Sequence, residues 1–302
     1  MDMEKYDLIV VGSGPAGLTA AIYAARYKLN TLVIGGVIGG LAGEASEIYN
    51  FPSHKKIKGF ELVKNMIEQV KELGIKINIE EVTSIKKKEG FEVVTDKNKY
   101  LAKKIIIASG SKRKKMNIER EDELRGKGVN YCATCDAALY KDKVVGVVGG
   151  GNTALSSATL LSRFAKKVYL SYRRDEFFRA DPILVEEVKK DKKIEIVFNS
   201  NITKLIGDKK LEEVEIDEGG KKRKLKIDGL FLEIGFMPGS KLAEELNIKM
   251  DGNYIIVDKN QKTNVKGVFA AGDVTNNPLK QMITACGEGA VAAQSAYNEL
   301  RE

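Results

Sequence analysis

The chain has 302 residues, 43% of them hydrophobic, and a formal net charge of +8. That length suits two domains with ordinary buried cores, and no apolar run approaches the roughly 18 residues of a membrane span. The basic runs Lys86–Lys88, Lys112–Lys115 and Lys221–Lys224 lack interleaved aromatic residues. This argues against a nucleic-acid surface and for solvated loops with a mild attraction for acidic partners.

Residues 6–11, YDLIVV, read as a buried parallel strand rather than a secretory signal, so a cytoplasmic location is expected. The turn Gly12-Ser13-Gly14-Pro15-Ala16-Gly17 follows, then an alanine-rich helical stretch through Arg26 and a strand at 31–35. Strand, glycine turn, helix and strand make a βαβ unit. Gly12 permits the tight turn, Gly14 lets the backbone approach a pyrophosphate, and Gly17 permits close helix–strand packing. The helix N-terminus supplies unpaired N–H groups and partial positive charge. The acid that usually binds a ribose near the end of the second strand is absent, replaced by Ile34-Gly35-Gly36. That weakens a simple NAD assignment and leaves FAD open.

An amphipathic helix over about 60–73 and strands at 91–95 and 104–109 come next. Then comes NYCATCDAALY, residues 130–140, with two of the three cysteines of the chain. A second βαβ unit follows, with a strand at 143–149, the turn Gly149-x-Gly151-x-x-Ala154, a helix and a strand at 167–172. It starts about 140 residues after the first unit. Arg173 and Arg174 stand where an acid would bind a 2′-OH. Arginine there suits a 2′-phosphate through charge-assisted hydrogen bonds and favours NADPH over NADH. Strands are expected near 194–198, 211–216 and 224–234, a linker at 235–240, strands at 254–258 and 267–274, and a helix from about Gln281 to Leu300.

Cys132 and Cys135 admit three readings. A structural zinc site wants four ligands and would have to gather both of them with Cys286 and His54 from distant segments, so no metal is expected. Two reduced structural cysteines are the second reading. The third is a redox dithiol, in which one thiolate attacks and the vicinal sulfur resolves. Asp136 is then the nearest acid able to move a proton. A dithiol beside two dinucleotide-type turns implies an electron path from nicotinamide through flavin to disulfide.

The motifs GSGPAG, LRGKGVNYCATCD, GGGNTA, YRRDEFFRA and GVFAAGDV with KQMITACGEGAVAA occur here in one order. In them the sequence resembles the low-molecular-weight, bacterial and archaeal type of thioredoxin reductase, over essentially its whole length. The resemblance implies an α/β fold of two Rossmann-like, three-layer dinucleotide-binding domains, the second inserted in the first. Residues 1–112 and 240–302 would bind FAD, and residues 113–239 would bind NAD(P) and carry the CxxC. Beyond the first glycine turn, it implies flavin contacts at Gly40, Leu41, Asn50, Val82, Gly110, Asp273, Lys280, Gln281 and Met282. In the middle domain it implies nucleotide contacts at Gly149, Gly151, Asn152, Thr153, Ala154, Arg173, Arg174 and Arg179. Cys135 would face the flavin, Cys132 would exchange with thioredoxin or a glutaredoxin-like protein, and Asp136 would be the acid/base. A rotating middle domain and a homodimer are implied as well. Departures cluster at the cofactor ends: Leu41 for a glutamine, Ser156-Ser157 for an acidic pair, Tyr172 for a histidine, and one additional phenylalanine at 177–178. NADH, a reduced deazaflavin or ferredoxin therefore stands as an alternative donor. A non-enzymatic flavoprotein redox sensor is the alternative of a different class. Cys286 reads as a buried bystander.

Overall fold

The computed structural model describes every residue except 1, 2, 46, 47, 49 and 179, and every side chain of the rest except those of Cys135 and Phe236. The chain divides into two compact units, Met1–Lys112 with Met237–Glu302, and Arg113–Phe236 between them in sequence.

The first unit begins with β1 (Glu4–Val11), α1 (Pro15–Arg26) and β2 (Thr31–Ile34). It continues through α2 (Gly59–Glu72), β3 (Lys76–Asn78), β4 (Val82–Lys88), β5 (Gly90–Thr95), β6 (Lys99–Ile107) and the short β7 (Ser111–Arg113). β1 pairs in parallel with β2 and with β6, and β3 extends the sheet beyond β2. Successive β1 side chains point to opposite faces, yet both faces are covered. Leu8 and Val10 join the alanines of α1, while Ile9 and Val11 join Ile85, Phe91 and Val93 of the β4–β5 hairpin. A parallel strand buried on both sides needs no polar alternation, which explains the unbroken apolar run in YDLIVV.

The second unit repeats this plan. It holds β8 (Val129–Asn130), α3 (Ala133–Asp136), β9 (Val144–Val148), α4 (Asn152–Ser162), β10 (Lys167–Ser171), α5 (Pro182–Lys190) and β11 (Ile194–Val197). β12 (Ser200–Ile206), β13 (Glu213–Glu218), β14 (Lys221–Lys226) and β15 (Gly229–Leu232) complete it. The parallel order is β11-β10-β9-β15-β8, and β12-β13-β14 form a separate antiparallel sheet. Val145, Val147, Val168 and Leu170 pack under α4 and α5, and Leu230 and Leu232 pack against β12–β14. The fold is thus α/β, with two Rossmann-like units. Sequence patterning merged 224–234 into one strand. The structure breaks it between β14 and β15, where Asp228 N donates to Val144 O (2.7 Å) and Val144 N donates to Asp228 Oδ2 (2.9 Å).

The chain returns to the first unit through β16 (Phe236–Pro238), α6 (Lys241–Glu245), β17 (Met250–Asp251), β18 (Tyr254–Ile255), β19 (Val268–Ala270) and α7 (Met282–Arg301). The strand expected at 254–258 is therefore only two residues long. β19 adds in parallel to the second half of β6, whose first half pairs with β5. α7 lies on α1 along small residues: Ala16, Ala20 and Ala24 share one core with Ala285, Ala292, Ala293 and Ala296. Tyr27 and Tyr297 stack at 4.5 Å beyond this stripe.

The approach is closest at Gly289, where an added Cβ would lie 2.1 Å from Ala16 O. Gly289→Ala should therefore destabilise the protein by about 1–3 kcal/mol through overpacking. Gly287→Ala, on the same helix with nothing within 4 Å of the added carbon, should be neutral or mildly stabilising. Urea denaturation of the two variants checks this, and equal midpoints would refute it.

Candidate active site

Two glycine turns and one cysteine segment carry the chemistry. In the first unit, β1 runs out at Gly12, whose φ of +119° is costly for other residues. A Cβ there would lie 2.0 Å from Ala108 O, and one on Gly17 would lie 1.9 Å from Gly12 O. These two glycines are required by packing alone. Gly14 differs. It is the N-cap of α1, followed by Pro15 at the first helical position, and among the described residues only Gly39 O, at 4.0 Å, approaches a Cβ built on it. The loop containing Gly39 and Gly40 is tied over this turn by Gly39 N to Ser13 O (2.8 Å) and Ser13 Oγ to Val37 O (3.1 Å). Leu41 follows in a short 3-10 turn.

The C-terminal segment reaches the same place. Gly272, at φ +81°, would put a Cβ 3.0 Å from Ala16 Cβ. Asp273 follows it, half-buried and without a hydrogen-bond partner among the described residues. Burial holds its carboxyl above the usual range, and nearby Lys280 offsets this only in part. Burial pushes the Lys280 ammonium down, while its Nζ donates to Thr275 O and lies 4.6 Å over the Tyr254 ring. Gln281 caps α7 reciprocally with Thr284, and its Oε1 accepts from Asn50 Nδ2 (3.0 Å). Met282 opens the helix and packs on the α1 core. Gly110, at φ +62°, accepts from Gly239 N at 2.8 Å, and Val82 starts β4 against the other core. An open glycine at a helix N-terminus beside an unpartnered, half-buried carboxylate fits the pyrophosphate and hydroxyl groups of FAD.

Sequence reasoning passed over Glu288. Its Oε2 accepts the Gly272 N–H at 2.6 Å and so holds the turn that presents Asp273, while burial raises its pKa. The available signal was a lone acid between two glycines in an otherwise small-residue helix. Cys286, a free thiol raised in pKa by burial, stands two residues before Glu288 in α7.

The second glycine turn is built alike. Gly149, at φ +146°, would put a Cβ 2.3 Å from Glu233 O, whereas Gly151, the N-cap of α4, has nothing within 4 Å. Ala154 is fully buried and Thr153 exposed. Asn152 is tied to the start of α5 by Nδ2 to Asp181 Oδ2 (2.8 Å) and by Asp181 N to Oδ1 (2.7 Å). Ser157 Oγ donates to the buried Glu233, which also pairs with Arg113 at 3.3 Å. A carboxylate at 157 would face Glu233 directly, which accounts for the serine. Arg173 and Arg174 are both exposed after β10. The additional phenylalanine is absorbed locally: Phe177 stacks on Tyr172 at 5.5 Å and Phe178 lies 4.1 Å under the Arg174 guanidinium. Tyr172 in turn covers Gly150, where a Cβ would meet its ring at 2.3 Å. Arg179 lies outside the described residues.

Cys132 is disulfide-bonded, half-buried, and 3.2 Å from Thr134 Oγ1. The segment is anchored before and after: Tyr131 OH donates to Glu121, and Asn130 Nδ2 donates to Tyr140 OH at 2.7 Å. Glu121 also accepts Asn117 N (2.7 Å) and Met116 N (3.1 Å). Asp136 is half-buried with its carboxyl pKa raised by burial. The side chain of Cys135 lies outside what the structure describes. The basic runs are largely matched by acids, as in Lys88–Glu92, Lys115–Asp122, Lys222–Glu215 and Lys224–Glu213. Among the described residues, no helix is long and apolar enough to cross a membrane.

The pyridine nucleotide-disulphide oxidoreductase family matches residues 6–289 of the chain. A thioredoxin reductase of Listeria monocytogenes is 38% identical, over 98% of this chain and 94% of that protein. The crystal structure of Lactococcus lactis thioredoxin reductase covers 98% of this chain and 99% of its own, with 36% identity and a TM-score of 0.92. A ferredoxin-flavin thioredoxin reductase from Clostridium acetobutylicum is 34% identical over 99% of both chains, with a TM-score of 0.55.

The Asp273 carboxyl gives a pH signature in the flavin-free protein. Its folded pKa is raised, so the folded state holds the extra proton, and stability falls as pH rises through that pKa. Glu288 acts with the same sign. Asp273→Asn should therefore make the flavin-free protein more stable than wild type at neutral pH, with the gain shrinking as pH falls. Thermal melts from the ordinary carboxyl range near pH 4 up to neutrality check this, and a gain independent of pH over that whole span would contradict it.

Proposed function

Since the chain belongs to the pyridine nucleotide-disulphide oxidoreductase family, and thioredoxin reductases are among its full-length relatives, we propose that it passes electrons from NADPH through FAD to the Cys132–Cys135 disulfide and on to thioredoxin or a glutaredoxin-like protein. The observation that carries this is the disulfide-bonded Cys132 with Asp136 four residues on, in a unit that also holds the open turn at Gly151. FAD, when bound, takes a hydride from the nicotinamide and supplies two electrons to a disulfide. In the first unit, Gly14 and the N-terminus of α1 would bind its pyrophosphate, and Asp273 and Lys280 would fix the flavin side. Residues 113–239 would serve as the nucleotide-binding domain and 1–112 with 240–302 as the flavin domain.

Reduction breaks the S–S bond and adds two electrons and two protons, giving two thiols. The Cys132 thiolate then attacks the partner's disulfide, and Cys135 resolves the mixed disulfide, leaving the partner reduced. Each exchange needs a proton delivered to a leaving sulfur. Asp136, whose burial keeps its proton to higher pH than an ordinary carboxyl, is placed by sequence to deliver it. We further propose a homodimer in the cytoplasm, where a disulfide of this kind is transient and catalytic. Sedimentation of the purified protein checks the dimer.

A second reading keeps the dithiol and changes the donor. The Tyr172 ring seated on Gly150 and the likeness to a reductase whose name includes ferredoxin both favour it. Anaerobic titration with NADPH, NADH and reduced ferredoxin, followed by the flavin spectrum, separates the two.

Asp136→Asn should lower the turnover of thioredoxin reduction by about a hundredfold or more while leaving FAD content unchanged. Unchanged turnover would remove Asp136 from the mechanism. Arg173 and Arg174 lead to a further outcome. Each charge-assisted hydrogen bond to a 2′-phosphate is worth roughly 1.5–3 kcal/mol. Arg173→Ala or Arg174→Ala should therefore raise KM for NADPH about tenfold and leave KM for NADH alone. Wild type that ignores both nucleotides would establish the second reading instead.

A further inference from the structure

We propose that Glu81 supplies the carboxylate that binds the adenosine ribose of FAD, in place of the acid missing from the end of β2; the proposal rests on the FAD reading above. In a nucleotide-binding βαβ unit that acid stands at the carboxyl end of the second strand and accepts from the ribose hydroxyl. Here β2 ends at Ile34 and runs into Gly35 and Gly36. Gly35 has no room for a side chain, since a Cβ would lie 2.4 Å from Ser13 Oγ and 2.9 Å from Ser13 N. Gly36 has room, and among the described residues the one atom within 4 Å of a Cβ built there is Glu81 Cβ, at 3.9 Å. The Glu81 side chain thus starts beside the volume that an acid at 36 would use.

The topology explains how it comes to be there. β3 is the parallel neighbour of β2, with Ile34 opposite Asn78, and Gly35 N donates to Asn78 O at 3.1 Å. Glu81 lies three residues past Asn78, beyond the same carboxyl edge, where sheets of this kind bind ligands. Its backbone is held by two reciprocal bonds, Glu81 N to Asp96 Oδ1 (2.9 Å) and Asp96 N to Glu81 O (3.0 Å).

The adjacent acid marks the contrast. Glu80 is buried and saturated, accepting from Thr95 Oγ1 (2.6 Å), Tyr100 OH (2.8 Å), Asn98 Nδ2 (3.0 Å) and Asn78 Nδ2 (3.2 Å). It anchors the loop. The Glu81 side chain is 68% exposed and, among the described residues, its carboxylate meets only Lys112 Nζ, at 3.4 Å, an exposed pair that costs little to rearrange. Its two oxygens have the acceptor capacity for both hydroxyls of one ribose.

FMN lacks the adenosine, so it separates ribose recognition from general damage. The experiment titrates flavin-free protein with FAD and with FMN, reading flavin fluorescence, for wild type, Glu81→Gln, Glu81→Ala and the double variant Glu81→Ala/Gly36→Glu. A charged hydrogen bond to a hydroxyl is worth enough that Glu81→Ala should weaken FAD binding about tenfold or more. FMN affinity should stay within about twofold of wild type, Glu81→Gln should lose less than Glu81→Ala, and the double variant should regain FAD affinity. Equal FAD affinity in wild type and Glu81→Ala overturns the proposal. So does a parallel loss of FAD and FMN, which would mark a structural role. Wild type that takes up neither flavin overturns the FAD reading itself, and the proposal falls with it.

Discussion

The contact between the first turn of α1 and the middle of α7 is the constraint on which the flavin-side cradle depends. Ala16 and Gly289 meet there at a distance that admits no further carbon, because a Cβ on Gly289 would overlap Ala16 O. Small residues on both helices let the backbones approach, and the stacked tyrosines Tyr27 and Tyr297 close the far end. The contact joins opposite ends of the chain. It places the open Gly14 turn beside Gly272 and Asp273, so that one ligand can be held by the N-terminal glycine turn and the C-terminal carboxylate together.

Both glycine turns obey the same physical division of labour. Gly12, Gly17 and Gly149 are forced by neighbouring backbone, and each would be glycine with or without a ligand. Gly14 and Gly151 stand at helix N-termini where, among the described residues, no atom comes closer than 4.0 Å to an added Cβ, so packing does not demand them. An unforced glycine at a helix N-terminus exposes N–H groups that no side chain shields, the arrangement an anion requires.

The buried acids sort in a similar way. Glu80 and Glu121 are buried and satisfied by several donors each, which makes them anchors for their loops. Asp273 and Asp136 are half-buried with raised pKa values, and neither carboxyl has a hydrogen-bond partner among the described residues. Leaving a polar group unpaired in a partly dry site costs stability, and such groups concentrate where chemistry or ligand binding supplies the missing partner. Glu288 lies between these classes: it has a donor, Gly272 N, but remains destabilised by burial.

By itself the sequence determined the two βαβ units, because strand hydrophobicity, glycine spacing and helix patterning are all local properties. CATCD was equally legible as a candidate redox segment. The extent of β12–β14 was not legible, since an antiparallel edge strand of near-continuous basic residues such as KKRKLK looks like a solvated loop until its acidic partner strand is known. Tertiary structure alone decided that Ser157 faces Glu233, that Tyr172 covers Gly150, that Glu288 grips Gly272, and that Glu81 stands beside Gly36. Each of these joins residues from separate elements, and their proximity is set by sheet order and backbone packing, which no local pattern encodes.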